Sequence, residues 1–534
     1  MSVPSSAGTR DLPDPPPTQR ATAKRASCTR VVLIIVAIAA LLRLWYLVSL
    51  PLIVTNDGVG YLNWGMQIAS GKSFDEIPTF RTPGYSILLA GVFTVLGTGP
   101  VPILFTQHLL GCLTVALVTF VACRAVGPRW GWIPGLLCAL DPWLLATECY
   151  ALNETLAIAL VAIALTLILA VSPPRYLAGL ALGLALGYLA LVRPALQVLT
   201  VFFILAWALR VHRDWKTTVG GLACAVVGVA AVLGPWMKYN HDRKASDGAP
   251  AGYQVASGYN VMQCRGLFRF RLLDPDFPDD PKIRAEVNRY RKMKRMPRWG
   301  ETRNFVDRVG EWDDSDGFLA RWNRASIRKN FSEYARHCLY ALCWELNFFP
   351  TSGPDPDFDW LNASLRRLSW DTPNNWYRGD PKKRGVDMFT MSGSRGALRG
   401  LNYLVGNLLA ERNDAGERIR PRSGFPQVPL FGLAVLTLVL ALFRRDWYLV
   451  VLLLGMLAFV AVHVLILFPV GRYLMPVWPI WYLCVVFAPK LLKGRLGFAA
   501  DNGQPRISTE PVAAAAEPAS ATTDAPPTTP PASE

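Results

Sequence analysis

Long apolar stretches dominate the pattern of hydrophobic and polar positions along the chain. A helix that crosses a bilayer needs about 20 consecutive, mostly apolar residues. Ten stretches fit this pattern: 31–53, 101–124, 130–148, 152–171, 176–192, 194–210, 217–236, 426–443, 447–468 and 473–489. A further apolar run, 84–97, has only 14 residues and is bounded by glycine and proline, so we do not expect it to span. The pattern predicts an all-α polytopic membrane protein with about ten transmembrane helices (range 10–12).

Polar residues concentrate in one long insert between the apolar blocks. Residues 237–424 carry 33 basic and 24 acidic side chains, which is 57 of the 94 charges in the chain. Both ends of the chain are low in complexity and cannot build a core. We predict five segments. They are a disordered tail over 1–30, a membrane core over 31–236 whose first outer loop is 54–100, a periplasmic insert of mixed structure over 237–424, C-terminal membrane helices over 425–492, and a second disordered tail over 493–534. The insert is a candidate region for binding an acceptor.

The composition excludes several classes of protein. Hydrophobic residues make up 52% of the chain and charged residues only 18%, yet the net charge is +16. Soluble domains carry about 25% charged residues, disordered chains are poor in apolar residues, and nucleic-acid binders are basic but polar. We therefore expect the lipid bilayer, and no nucleic acid, as a partner.

The ten cysteines do not indicate a metal centre. None belongs to a C-x-x-C motif or a Cys/His cluster with metal-ligand spacing, so we expect buried small side chains and no bound metal. Cys264, Cys338 and Cys343 lie in the polar insert, where one disulfide bond is compatible with the sequence.

Basic residues in the short loops predict the orientation. Cytoplasmic loops carry an excess of lysine and arginine. The short loops at one end of the predicted helices hold Arg124, Arg129, Arg175, Arg210, Arg213, Lys216, Arg444 and Arg445. If 84–97 does not span the membrane, these basic loops and both termini are cytoplasmic. The loop 54–100 and the insert 237–424 then lie on the outer face.

Ionisable residues from distant parts of the chain meet at that outer face. An ionisable side chain at membrane depth costs about 2.5–3.5 kcal/mol on insertion scales. The set consists of Asp57, Arg81, Glu154, Arg193 and Arg472. Arginine forks bind phosphate, a carboxylate can act as a general base, and arginines stabilise charge that develops on a leaving phosphate. Together these residues suit an anionic, lipid-linked substrate.

The same residues also have structural interpretations. Arginines at helix ends contact lipid headgroups by snorkelling, which applies to Arg193, Arg472 and also Arg43 in the first helix. Glu154 is favourable at a helix N-terminus because of the helix dipole, and Asp57 is placed to cap the helix that follows it.

Six sequence elements occur in a fixed order. They are Asp57-x-x-x-Tyr61 with a Gly turn at Gly71, Arg81-Thr82-Pro83-Gly84-Tyr85, LNETL around Glu154, the Gly-rich AGLALGLALGYLALVRP ending at Arg193, Pro235-Trp236 followed by Asn240, and Arg472-Tyr473-Leu474-Met475-Pro476. With these elements the chain resembles the GT-C superfamily of integral membrane glycosyltransferases, in particular the protein mannosyltransferase (family 39) and lipid A aminoarabinose transferase groups. The resemblance covers most of 31–260 and 425–489.

The resemblance implies an inverting glycosyltransferase of the bacterial inner membrane. Such an enzyme moves a sugar from a polyprenyl-phosphate donor to an envelope acceptor on the periplasmic face. It implies catalytic roles for Asp57 and Glu154, contacts to the donor phosphate for Arg81, Arg193 and Arg472, and supporting roles for Tyr61, Tyr85 and Tyr473. Two departures from the motifs of these families narrow the set of related enzymes. Phe80 replaces a glutamate of the aminoarabinose transferases, so no metal is expected there, and no Trp-Trp-Asp motif of the oligosaccharyltransferases is present.

Two alternatives for the function stay open: a lipid or polysaccharide transporter or flippase, and a non-catalytic membrane protein of envelope assembly. The sugar and the acceptor cannot be read from these motifs. Within the insert, the amphipathic stretches 331–349 and 398–410 are compatible with lying on the membrane surface or with packing inside an outer domain. The basic run 289–299 suits acidic headgroups or a solvated surface equally well.

Overall fold

A computed structural model of the chain describes most of the predicted membrane core and part of the insert. The described residues are 17–49, 52, 54, 56–78, 81–170, 175–212, 215–246, 255, 258–277, 280–293, 297, 299–309, 317–345, 410–412, 418–421, 427–467, 471–494 and 496. The predicted stretch 398–410 lies outside these residues except for its last position, and so do 1–16 and nearly all of 493–534. Residues 17–30 of the first predicted tail are helical and form the start of α1.

The described chain is almost entirely helical. Its α-helices are α1 Pro17–Ser49, α2 Asn56–Ala69, α3 Gly84–Leu96, α4 Pro100–Val126, α5 Pro128–Leu140, α6 Pro142–Glu148, α7 Glu154–Leu169, α8 Arg175–Val192, α9 Gln197–Val211, α10 Trp215–Ser246, α11 Tyr259–Arg269, α12 Pro281–Arg291, α13 Trp299–Val309, α14 Phe318–Lys329, α15 Phe331–Glu345, α16 Gln427–Arg444, α17 Trp447–Leu465 and α18 Trp478–Lys493. Two short 3-10 helices, Pro194–Leu196 and Gly471–Val477, precede α9 and α18. Strands β1 Ala410–Arg412 and β2 Arg418–Pro421 pair as an antiparallel hairpin in the insert.

Nine of the ten predicted spans correspond to apolar helices. Among the described residues, six helices are long and apolar enough to cross a membrane: Ala26–Val48, Pro100–Val126, Pro194–Val211, Trp215–Arg243, Trp447–Leu465 and Leu474–Lys493. Three further predicted spans are shorter apolar helices: Glu154–Leu169, Tyr176–Val192 and Pro429–Arg444. The chain is a multi-pass helical membrane protein, as the apolar pattern predicts.

The prediction of one continuous helix over 130–148 is wrong. The structure has α5, then an extended residue at Asp141, then the seven-residue α6. Pro142 causes the break, because a residue before proline is pushed out of the helical conformation. At the break, the Asp141 side chain accepts two hydrogen bonds. Its Oδ1 accepts the Leu144 N–H at 3.4 Å, and its Oδ2 accepts the Tyr482 hydroxyl of α18.

Helix α3 is one of four shorter apolar helices among the described residues, so the absence of a span over 84–97 stays a prediction. Thirteen residues measure about 20 Å, which is less than the roughly 30 Å of a hydrocarbon core. Its first turn lies beside the second turn of α4, where the Tyr85 hydroxyl donates to Gln107 Oε1 at 3.3 Å. Its last turn connects to the start of α4 through only three residues, 97–99. Both ends of α3 therefore lie beside the first part of α4.

Small residues allow α8 and α10 to pack closely. A Cβ atom at Gly179 or Gly183 would overlap the backbone carbonyl of Gly221 or Ala225 on α10. Small-residue contacts of this kind are typical of helix pairs in membranes, where close van der Waals packing replaces the hydrophobic effect.

The two ends of the bundle differ in charge. Arg124, Arg210 and Arg444 stand in the last turns of α4, α9 and α16. The Arg444 guanidinium donates to the carbonyls of Leu491 and Leu492 at the end of α18, both at 3.0 Å. We call this the cationic end. The opposite end carries α2 and is called the Asp57 end.

Helices α11 to α15 of the insert form a small layer at the Asp57 end. Helices α11 to α15 enclose a second apolar core that includes Val261, Phe268, Phe305 and Trp322. This layer contacts the end of α17, because Gln263 Nε2 on α11 donates to the Leu465 carbonyl at 3.3 Å.

Candidate functional site

Asp57 lies in the first turn of α2, where the helix dipole favours a carboxylate. The helix is held against the segment that precedes α7, because a Cβ atom on Gly58 would lie only 2.9 Å from the Ala151 carbonyl oxygen. Glycine at this position therefore lets Asp57 approach the residues that enter α7. The Asp57 side chain stays 32% exposed.

Arg81 contacts both predicted residues of α2. One terminal nitrogen lies 2.7 Å from Asp57 Oδ1, and the other donates to the Tyr61 hydroxyl at 3.3 Å. The turn that leads to Arg81 is fixed from outside: Arg243 on α10 donates to the carbonyls of Asp75 and Ile77 at 3.0 and 2.8 Å. A third of the Arg81 side chain is exposed, so this ion pair is open to a ligand.

Glu154 and Arg193 form a second ion pair behind the first. Glu154 is the first residue of α7 and Arg193 follows the last residue of α8, so the ends of two helices bring them together. Arg193 lies 3.5 Å from Glu154 Oε1, with exposed fractions of 8% and 3% for the two side chains. Burial of both charges makes this pair part of the interior of the site.

Asn153 connects the two ion pairs and was not among the predicted site residues. Its amide nitrogen donates to the Tyr61 hydroxyl at 3.2 Å and to the Val192 carbonyl at 2.9 Å. The second bond fixes the residue before Arg193. The only sequence signal was its position next to Glu154 in LNETL, which gives no reason to expect an amide that reaches two other helices.

Tyr61 lies at the centre of the site. Its hydroxyl accepts hydrogen bonds from Arg81 and Asn153, and within the described part of the chain its own proton has no acceptor. Burial raises the pKa of Tyr61, Arg81 lowers it, Asp57 and Glu154 raise it, and Arg193 lowers it, with a net upward shift. The phenol is therefore neutral and can donate a hydrogen bond to an anion.

Tyr85 supports Tyr61 from α3. The two rings meet edge to face with their centroids 5.2 Å apart. Gly84 places α3 directly on α8, because a Cβ atom there would lie 2.6 Å from the backbone of Leu191. The Tyr188 hydroxyl of α8 also donates to the Gly84 carbonyl at 2.9 Å. The segment that carries Arg81 is thus fixed against the helix that ends before Arg193.

Arg472 and Tyr473 lie in the 3-10 helix Gly471–Val477, and their side chains are outside the described part of the structure. The backbone of this short helix packs against α7, which begins with Glu154. The neighbouring Met475 accepts a hydrogen bond from Thr147 at 3.4 Å. The segment is therefore at the Asp57 end, and the roles of its two predicted residues stay predictions.

A second charged cluster lies deeper in the bundle. Arg43 on α1 contacts Glu148 Oε1 at 2.6 Å, and His108 Nδ1 lies 2.8 Å from Glu148 Oε2. All three side chains are buried. Snorkelling of Arg43 towards the headgroups is therefore wrong: its guanidinium turns inward because Glu148 supplies a buried partner, and Gly111 leaves room for both side chains.

This cluster is connected to the site. The amide nitrogen of Gln107, next to His108, donates to the carbonyls of Glu148 and Tyr150 at 3.1 and 2.8 Å. Its oxygen accepts the Tyr85 hydroxyl. A chain of contacts thus runs from the buried charges to Tyr61 by way of Tyr85. The sequence signal for the Arg43–Glu148–His108 cluster is the presence of charged residues inside apolar runs.

The described residues contain no group of three or more His, Cys, Asp or Glu side chains that could hold a metal ion. The carboxylates of the site are instead occupied by arginines, as the Asp57–Arg81 and Glu154–Arg193 pairs show. Nine cysteines are free within the described residues, Cys264 and Cys338 of the insert among them.

No protein-family model and no curated protein matches the chain. Solved structures do match. The apo oligosaccharyltransferase of Archaeoglobus fulgidus is 15% identical at a TM-score of 0.41, and the match covers 87% of this chain and 50% of that one. ArnT from Cupriavidus metallidurans bound to undecaprenyl phosphate is 15% identical at a TM-score of 0.33, with 84% and 77% covered.

A second structure of the archaeal protein, AglB in complex with an inhibitory peptide and a dolichol-phosphate, is 14% identical at a TM-score of 0.41 and is matched over 88% of this chain and 50% of its own. The chain spans about half the length of the archaeal oligosaccharyltransferase.

Proposed function

We propose that the chain is an inverting glycosyltransferase that takes a sugar from a polyprenyl-phosphate donor. The observation that carries this proposal is the half-exposed Asp57–Arg81 ion pair, backed by the buried Glu154–Arg193 pair, at one end of a membrane helix bundle. The two pairs combine a carboxylate that is open to an acceptor with guanidinium groups suited to a phosphate. A lipid-linked donor would bring its phosphate to this level of the membrane.

In the proposed mechanism Asp57 is the general base. An inverting transfer needs one carboxylate to take the proton from the acceptor hydroxyl as that oxygen attacks the sugar carbon. The bond from the sugar to the phosphate breaks in the same step, and the polyprenyl phosphate leaves. Arg81 holds Asp57 at 2.7 Å and thereby fixes the direction of its carboxylate.

The positive groups of the site would hold the leaving phosphate. Arg81 and Arg193 are the proposed contacts, and the neutral Tyr61 hydroxyl adds a donor between them. Arg472, on the 3-10 helix beside α7, is the third proposed contact. Guanidinium groups that are fixed before the reaction stabilise developing charge at little reorganisation cost. The burial of Glu154 behind Arg193 favours a role in fixing that guanidinium.

The proposed location is the bacterial inner membrane with the site on the periplasmic face. Arginines gather at the cationic end of the bundle, and the excess of positive charge marks the cytoplasmic side. The acceptor is a lipid, a glycan or a protein of the envelope.

The experiment compares Asp57→Asn with Asp242→Asn, which changes an exposed carboxylate at the same end of the bundle. Both variants are assayed in membranes for transfer or hydrolysis of a radiolabelled polyprenyl-phosphate sugar. We expect Asp57→Asn to lose activity by roughly 10²-fold or more with an unchanged melting temperature, and Asp242→Asn to keep it. Near-normal turnover of Asp57→Asn contradicts the mechanism.

The same assay tests the two other functions. A transporter would need charged or broken helices near the bilayer midplane. The Arg43–Glu148–His108 cluster lies six residues from the end of α1 and eight residues from the start of α4, which is about 9–12 Å along the helix axes, so the assay and not the depth of the cluster decides between a transferase and a transporter. If the wild-type protein neither transfers nor hydrolyses any of a range of polyprenyl-phosphate sugars, the result favours a function as a transporter or an assembly protein.

A further inference from the structure

Helix α15 carries three parallel stripes of different chemistry. Residues three or four positions apart lie on the same face of a helix. The buried stripe consists of Tyr334 and Ala341, which are buried, and Cys338, which is half-buried. The second stripe is exposed and apolar and consists of Phe331, Ala335 and Leu339. The third stripe is exposed and more polar and consists of Ser332, Arg336 and Tyr340.

The buried stripe attaches α15 to the point where a membrane helix ends. The Tyr334 hydroxyl donates to the carbonyl of Leu465, the last residue of α17, at 2.6 Å. Cys338 packs against both the membrane core and the core of the insert. Helix α15 therefore lies at the boundary between the apolar bundle and the polar insert.

The apolar stripe is not covered by the described part of the chain. Phe331 is 66% exposed and Leu339 is 62% exposed, although they are large apolar side chains. Packing within the insert accounts for the buried stripe only. A row of exposed apolar side chains on a helix indicates a further apolar neighbour.

The polar stripe borders the apolar one on its other side. Arg336 forms an ion pair with Glu333 on the same helix, and its side chain is 71% exposed. Arg328, which is exposed, precedes the helix at the end of α14. Cations beside an apolar stripe fit a surface of anionic headgroups above acyl chains.

We propose that α15 is an interfacial helix whose apolar stripe, Phe331, Ala335 and Leu339, inserts into the bilayer leaflet at the Asp57 end. The helix has three neighbours, and each matches one stripe: protein at Tyr334, lipid at Leu339 and water at Arg336. The continuity with the end of α17 selects lipid as the occupant, because the stripe begins where that membrane helix leaves the bilayer. The insert is thereby fixed to the membrane surface. This proposal does not depend on the chain being a transferase.

The test uses the full chain in nanodiscs of phosphatidylethanolamine and phosphatidylglycerol. A photoreactive phenylalanine replaces one residue at a time: Phe331 or Leu339 in the apolar stripe, and Ser332 or Arg336 in the polar stripe as matched controls on the same helix. Val201, an exposed residue of the membrane helix α9, is the positive control. Mass spectrometry then measures the fraction of each peptide that carries a phospholipid after illumination.

We expect phospholipid adducts at Phe331 and Leu339 in several-fold higher yield than at Ser332 and Arg336, and close to the yield at Val201. Gel filtration confirms that each variant is folded. Equal yields in the two stripes would overturn the proposal. Adducts at Leu339 with another part of the chain, or with a second copy of it, would also overturn it, because the stripe would then be a protein contact.

Discussion

The Arg81 guanidinium lies 2.7 Å from the Asp57 carboxylate, and about a third of each side chain stays exposed. The same guanidinium also donates to Tyr61. A planar fork is needed for this double contact, and it holds both partners in one orientation.

Replacement of Arg81 by lysine should therefore lower activity even though the charge is kept. A single ammonium cannot reproduce the fork geometry towards Asp57 and Tyr61. We expect Arg81→Lys to lower the rate of sugar transfer by roughly 10²-fold, with an unchanged melting temperature. Arg289→Lys, on the exposed face of α12, is the control. Equal rates for the two variants would exclude a specific role for the guanidinium.

Two glycines of the same helix should respond differently to alanine. A Cβ atom at Gly84 would lie 2.6 Å from the backbone of Leu191, whereas a Cβ at Gly91 meets nothing within 4 Å. We expect Gly84→Ala to destabilise the protein by about 1–3 kcal/mol and to lower activity, because α3 and with it Arg81 must shift. Gly91→Ala should stabilise slightly, by up to about 1 kcal/mol. Thermal unfolding of both variants in the same detergent provides the comparison, and a stable Gly84→Ala would contradict the packing.

Removal of one charge from the deep cluster should be costly. A buried ion pair that loses one partner leaves the other charge uncompensated, at a cost of about 3–5 kcal/mol. We expect this loss of stability for Glu148→Gln, which leaves Arg43 and His108 without the carboxylate. Glu333→Gln, which breaks an exposed pair on α15, should cost less than about 1 kcal/mol. The double variant Arg43→Met/Glu148→Gln should recover part of the loss, and no recovery would argue against direct coupling.

The orientation can be tested by thiol labelling. A cysteine at Arg289 in the insert should react with an impermeant maleimide on intact spheroplasts. A cysteine at Arg129, in the first turn of α5, should react only after permeabilisation. The native cysteines of the described residues are buried or half-buried, so the wild type serves as the background control. The reverse labelling pattern would place the Asp57 end in the cytoplasm.

The sequence indicates the membrane architecture well, because the thickness of the bilayer determines how long an apolar run must be to span it. The topology predicted from the sequence also places Asp57, Arg81, Glu154 and Arg193 at one end of the bundle, because each residue stands at the end of a helix or in the first loop. Those positions follow from counting spans, and the structure confirms that the four residues are neighbours.

The sequence does not show how these residues pair. The contact of Asn153 with both Tyr61 and Val192 depends on the relative rotation of α2, α7 and α8, which apolar patterns leave free. The inward turn of Arg43 depends on Glu148, a residue 105 positions away. The break at Asp141 was readable in principle from Pro142, but the surrounding run is apolar enough to resemble one helix.

The bond between Tyr482 and Asp141 has a consequence for the synthesis of the protein. Asp141 separates α5 from α6, and α6 ends at Glu148, close to Glu154. The hydroxyl that holds this break comes from α18, which leaves the ribosome 341 residues later. Twelve α-helices of the described chain, α6 to α17, are made between Asp141 and this hydroxyl, so the arrangement around Glu154 reaches its final form only after α18 has been synthesised. A chain truncated after α17 would retain every charged residue of the two ion pairs and still lack the contact that fixes the α5–α6 junction.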